Sequence, residues 1–167
     1  MNYLLILPLI ALLSISATYA PQAENDATWE ETTAFINKYK SYLHYTRHYN
    51  DPCRDEIKDF NISGNQMYFI NLPGRGPGNE SKNTVDLSKL DSVAFDNDAI
   101  YLFLVGPYWK QDYNPYTSSS TKFSWKSSYL TICDEEMKKR MYNAFSHLAK
   151  LATEKREADR KASGDKF

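Results

Sequence analysis

Residues 134–156, DEEMKKRMYNAFSHLAKLATEKR, decide how the rest of the chain is read. Met137, Met141, Ala144, Phe145, Leu148 and Leu151 or Ala152 recur at steps of three and four, so they line one face of an α-helix. Lys138, Lys139, Arg140, Lys150 and Lys155 fall mostly off that face. Asp134 is placed to accept the first free N–H groups, and Glu135 and Glu136 suit the positive end of the helix dipole. No Gly or Pro interrupts the stretch before Gly164. Alone, such a helix is marginal, because nucleation is costly and the stripe needs a surface to cover. Strand-like segments between residues 56 and 132 are the expected surface, with Phe145 and Leu148 as the side chains that close the core.

The totals set bounds. A chain of 167 residues has room for a leader and one domain. Hydrophobic content of 42% and charged content of 25% are ordinary for a globular protein. A net charge of -1 exerts no global pull on nucleic acid or acidic membranes, so nucleic acid is not an expected partner. Aromatic content is high at 14%, and Tyr dominates it. No internal repeat or heptad array is present.

Residues 1–20 contain no Asp, Glu, Lys or Arg, and an apolar run from Tyr3 to Ile15 is followed by small residues. This reads as a secretory signal peptide cut after Ala20, with a cut after Ser16 as the alternative. An uncleaved anchor is the competing reading; the run is short for a span and Pro8 interrupts it. No Cys lies near the leader's end, so a lipid-anchored lipoprotein is not expected. Once the leader is removed, no transmembrane span is expected, and the protein is expected outside the cytoplasm, periplasmic or secreted. Cys53 and Cys133 then read as one disulfide in an oxidising compartment, against the alternative of two separate thiols. The bond would close a loop of about 80 residues, worth roughly 4.5 kcal/mol in the chain-entropy model.

In chain order, residues 21–27 form a polar lead-in. Thr28-Trp29-Glu30-Glu31 matches a capping box, and Trp29, Thr32, Ile36, Tyr39 and Leu43 predict a helix over about 29–46. Asn50-Asp51-Pro52 ends that segment. Residues 56–72 read as a hairpin turning at Ser63-Gly64-Asn65. Residues 73–79, PGRGPGN, are a loop by composition. A short strand is expected at 84–87, a connection at 88–91, and a second hairpin from 92–95 and 99–105 around Asp96-Asn97-Asp98. Residues 100–105 are apolar on both parities, which predicts a central strand. Residues 106–121 read as a long polar and aromatic loop or a loose hairpin tip, 123–132 as the last strand, and 157–167 as a disordered polar tail. Strands bounded by helices argue an α+β fold with a mostly antiparallel sheet of five to seven strands, spanning residues 28–156.

The Thr-x-x-Glu opening, the strand pair at 56–72, the step Val85-Asp86-Leu87-Ser88-Lys89-Leu90 and the Ala144-Phe145-Ser146-His147-Leu148 core of the last helix resemble small exported bacterial domains with a pleckstrin-homology-like barrel. The resemblance covers about residues 28–156. It implies a barrel or strongly curved sheet closed at one end by the C-terminal helix. Those domains are mostly uncharacterised, so it implies no catalytic residues.

Residues that could carry chemistry have bland readings beside them. His44 and His48 are four apart, yet the spacing His-Tyr-Thr-Arg-His lacks the Glu of a zinc-protease motif, and no metal is expected there. His147 reads as a partly buried structural imidazole. Gly74-Arg75-Gly76-Pro77-Gly78 lacks the Lys-Ser/Thr ending and the following helix of a phosphate loop. No G-x-S-x-G and no clear Ser, His and acid set appear. Asn61-Ile62-Ser63 and Asn79-Glu80-Ser81 are glycosylation sequons, relevant only in a eukaryotic secretory route.

Tyr108, Trp109, Tyr113 and Tyr116 form the most suggestive cluster, with Phe123 and Trp125 just beyond. Aromatic bodies with polar tips serve interfaces and sugar stacking; the plainer reading, and the favoured one, is that the segment packs on its own barrel. The expectation is an exported, non-catalytic interaction domain without a cofactor, binding a protein, peptide or cell-envelope component through these four residues. The alternative is a carrier holding a small or glycan ligand in the barrel or under the aromatic segment 106–122. A third reading is an enzyme with an unrecognised site.

Overall fold

The computed structural model describes residues 26–45, 53, 57–71, 80–97, 99–114 and 121–164. It is an α+β fold of two helices, two short 3-10 turns and eight strands. The first helix, α1 (Trp29–Lys38), starts in the expected capping box: Glu31 N–H donates to Thr28 Oγ1 at 3.2 Å, and Thr28 N–H donates to Glu31 Oε2 at 2.8 Å. It stops earlier than the stripe predicts. A 3-10 turn at Lys40–Tyr42 follows, and Leu43 is already extended, because His44 exchanges both backbone hydrogen bonds with Thr131 at 2.8 Å. That pairing overrides the helical pattern at Leu43.

The strands are β1 (Ile57–Ser63), β2 (Gln66–Asn71), β3 (Glu80–Asp86), β4 (Leu90–Asp96), β5 (Ala99–Leu104), β6 (Trp109–Asn114), β7 (Thr121–Trp125) and β8 (Ser127–Thr131). They make a five-stranded sheet in the order β1-β2-β3-β6-β7 and a three-stranded sheet in the order β4-β5-β8, with every pairing antiparallel. Both expected hairpins are present, and β5 is central in its sheet. Gly64 turns the first hairpin at φ 55°, a conformation that a residue with a Cβ rarely adopts.

The two sheets are continuous along the chain. β3 leads into β4 through a 3-10 turn at Leu87–Lys89, β5 into β6 through residues 105–108, and β7 into β8 through Lys126. The architecture is therefore a meander in which three long strands bend halfway and serve both sheets. Hydrogen bonds between the bends hold the corner: Val105 N–H donates to Lys89 O at 2.9 Å and Leu104 N–H to Lys126 O at 2.7 Å. At the middle bend Gly106 lies under the Tyr108 ring; a Cβ there would stand 2.7 Å from Tyr108 Cε2.

Two expectations are corrected here. The strand count exceeds five to seven, because the predicted last strand, 123–132, bends at Lys126 into β7 and β8, and because, of the two readings of 106–121, the hairpin is the one its described residues adopt. It carries β6 and the start of β7, paired from Trp109–Trp125 to Tyr113–Thr121. Nor is there a closed barrel among the described residues. The gap beside β1 and β4 is filled by helices: α1 packs on β1, and α2 (Glu135–Ala162) packs on α1, β4 and the Leu87–Lys89 turn.

The α2 stripe is buried as expected, with Phe145, Leu148 and Met141 inside a core shared with Ile36, Leu90, Ile100 and Leu102. Asp134 caps the helix by accepting from Met137 N–H at 2.7 Å. The helix continues beyond 156, so residues 157–162 are helical instead of a disordered tail. Nothing helix-breaking occurs there, Lys155 and Asp159 pair at 3.5 Å one turn apart, and the stop comes at Gly164 with φ 72°. Lys138 is buried at the helix start, where its ammonium donates to Glu135 Oε1 at 2.6 Å and to the Asn97 carbonyl.

Candidate functional site

The four nominated aromatic residues do not act together. Trp109 is 0% exposed and sits at the centre of the core: its ring meets Phe69 edge-on at 5.7 Å, and its indole N–H donates to Asn83 Oδ1 at 3.0 Å. This corrects its place as a surface residue. β6 alternates inward and outward, and Trp109 faces inward with Val85 opposite. Tyr108 faces the other way and is 38% exposed, with the Lys89 ammonium 5.5 Å above its ring. Tyr113 lies in β6 opposite Ser81 and Thr121. Tyr116 lies outside the described residues, as do His48, the glycine-rich segment 73–79 and the leader.

The aromatic surface that the structure does present is one strand further on. Trp125 pairs with Trp109 and Phe123 with Gln111, which puts both on the inward face of the sheet. Yet Trp125 is 46% exposed and Phe123 39% exposed, and their rings stack on each other at 5.7 Å. The reason is position. β7 closes the sheet order, and among the described residues no strand pairs with its far side. The apolar inner face thus runs out to an uncovered edge.

Beneath this edge lies a buried polar cluster with no evident sequence signal. Asn83 donates to Asn71 Oδ1 at 2.7 Å and accepts from Trp109 Nε1 and, at 3.3 Å, from Gln111 Nε2. Ser81 Oγ is buried beside it without a partner. The strand expected at 84–87 is β3, which starts earlier, and its alternation turns Ser81, Asn83 and Val85 inward.

Other groups are structural. His147 Nε2 lies 2.6 Å from the Ala27 carbonyl and ties α2 to the start of α1. Arg140 spans the same helix pair, with its guanidinium 5.2 Å from the Phe35 ring and 5.0 Å from the Tyr39 ring. Its hydrogen bond, together with the nearby Lys38 charge, holds the Tyr39 phenol below the ordinary tyrosine range. Arg156 donates to the Ser88 and Leu90 carbonyls, both at 2.8 Å, and fastens α2 to the first bend. A groove of about 420 Å³ opens beside it, lined by Trp29, Lys89, Leu151 and Asp159.

Cys53 and Cys133 form a disulfide, with Cα atoms 6.1 Å apart, which fits an oxidising compartment. Among the described residues no group of three or more His, Cys, Asp or Glu is placed to hold a metal ion. Among the same residues, no helix is long and apolar enough to cross a membrane. No protein-family model, no curated protein and no solved structure matches the chain.

Proposed function

We propose that this protein is an exported, non-catalytic interaction domain that holds an extended segment of a partner protein along β7. The carrying observation is the stacked, uncovered Phe123–Trp125 pair on an edge strand whose outer side has no ladder partner among the described residues. An edge strand offers free backbone N–H and C=O groups, and an added strand satisfies them while its side chains cover the aromatic pair. The Cys53–Cys133 bond supports export into an oxidising space. The sequence resemblance to pleckstrin-homology-like exported domains, drawn from the motifs of residues 28–156, points the same way.

The test compares the wild-type chain with a Phe123→Ala/Trp125→Ala variant in capture from the extracellular or envelope fraction of its own source. A partner held by the wild type and lost by a variant with an unchanged melting midpoint supports the reading. Equal capture by both removes the β7 edge from it. The carrier reading keeps one observation of its own, the buried Asn71–Asn83–Gln111 cluster with the unpartnered Ser81 hydroxyl. Native mass spectrometry of natively purified protein separates the two, since a carrier arrives with its ligand's mass added.

A further inference from the structure

The outward face of the five-stranded sheet carries a second pattern, independent of the β7 edge. The strand registers place Lys58 opposite Ile70, Ile70 opposite Lys82, Lys82 opposite Asp112, and Asp112 opposite Lys122. These residues form one line across all five strands. Beside it runs a second line, Tyr68, Thr84, Lys110 and Ser124. Lys58, Lys82, Lys110 and Lys122 are exposed. Among the described residues the ion pairs lie elsewhere, on α2 and between Arg156 and Asp91. Asp112 stands between Lys82 and Lys122, and its Oδ1 is buried without a hydrogen-bond partner. A hollow of about 390 Å³ lies over this face, lined by Tyr68, Lys82, Lys110 and Lys122 among others. The outward face of β3 also carries Glu80 and Asp86 at its two ends, so the four lysines are spread over the middle of the face with Asp112 as the one carboxylate in their row.

The geometry points to a binding surface for a linear sulfated polysaccharide laid across the strands. Strands in a sheet lie about 4.8 Å apart, so Lys82 and Lys122, two strands apart, present cations about 10 Å from each other. From Lys58 to Lys122 the row crosses four strand spacings, about 19 Å, which is wider than one anion, and a polymer with repeating sulfates meets several of its lysines at once. A bilayer fits less well. The aromatic groups that would enter it, Phe123 and Trp125, are on the opposite face of β7 from Lys122. Single-stranded nucleic acid fits less well too, because bases need a series of stacking platforms and the aromatic lining of the hollow is Tyr68, half-buried, with Phe123 at its β7 side.

Heparin is the probe, with the full mature chain, read by calorimetry over a salt series. The wild type should bind, with affinity falling steeply as salt rises, because each lysine in contact with the polyanion releases a counterion. A Lys82→Gln/Lys110→Gln/Lys122→Gln variant should bind about tenfold or more weakly and show a shallower salt slope. Asp112→Asn should bind more tightly, because it removes the one opposing charge from the row. A Lys139→Gln/Lys150→Gln variant on exposed α2 positions should bind as the wild type does. Denaturant midpoints confirm that each variant is folded. Undiminished binding by the triple variant, or an equal loss in the α2 variant, overturns the assignment. So does binding to phosphatidylserine vesicles or single-stranded DNA without binding to heparin. Displacement of heparin by inorganic sulfate at equal ionic strength would reduce the surface to a single-anion site and overturn the polymer reading.

Discussion

The centre and the edge of the five-stranded sheet carry the same side chain on the same rung. Trp109 on β6 and Trp125 on β7 are cross-strand partners on one face, yet one is wholly buried and the other is 46% exposed. Residue type and inward–outward alternation are identical for both. What differs is the number of neighbours: among the described residues β6 has β3 on one side and β7 on the other, whereas β7 has β6 alone. Burial here is a property of place in the sheet, and an aromatic residue becomes available to a partner where the sheet runs out.

Four substitutions break or sharpen this contrast, in order of effect. Trp109→Ala should cost about 3–5 kcal/mol in urea unfolding, because it empties a packed interior against Phe69 and removes the donor to Asn83. A loss under about 1 kcal/mol would place Trp109 outside the core. Asn83→Leu should cost about 2–3 kcal/mol, since it leaves the Trp109 N–H and the Asn71 carbonyl oxygen buried without this partner. If the variant matched the wild type, the polar cluster would be incidental to stability. Trp125→Ala should stay within about 1 kcal/mol in the same assay. A loss equal to that of Trp109→Ala would mean that the edge is covered in solution, and the contrast would fail. Lys150→Ala, on the exposed face of α2, should change the midpoint by no more than about 0.5 kcal/mol and sets the floor for the series.

The α-helical elements were legible because their signals are local. The Met137–Ala152 stripe, the Asp134 cap and the Thr28–Glu31 box are each contained within a few turns of chain, and each appears as read. The hairpins at Gly64 and Asn97 were legible for the same reason. The bends were not. Nothing near Lys126 announces that Trp125 and Ser127 belong to different sheets; that depends on three strands turning together, which is a relation between residues far apart in sequence. The aromatic site was legible as a composition and misplaced as a geometry. Its alternation, Trp109 inward and Tyr108 outward, needed the start of β6, which the reading of 106–121 as a loop or hairpin tip did not place. The buried Asn83 cluster gave no cue, because alternating polar residues on a strand ordinarily face water.

The contact between His147 and the Ala27 carbonyl joins residues 120 positions apart. A ribosome delivers the chain from its N-terminus, so α1 emerges long before the α2 surface on which half of its packing depends. Until about residue 148 is made, Ile36 has no Phe145 or Leu148 to join in the core, and the bridge between His44 and Thr131 also waits for the last strand. The domain therefore completes its fold only once β8 and α2 have been made. Before then the nascent chain is still open, a state that can be threaded through a narrow channel.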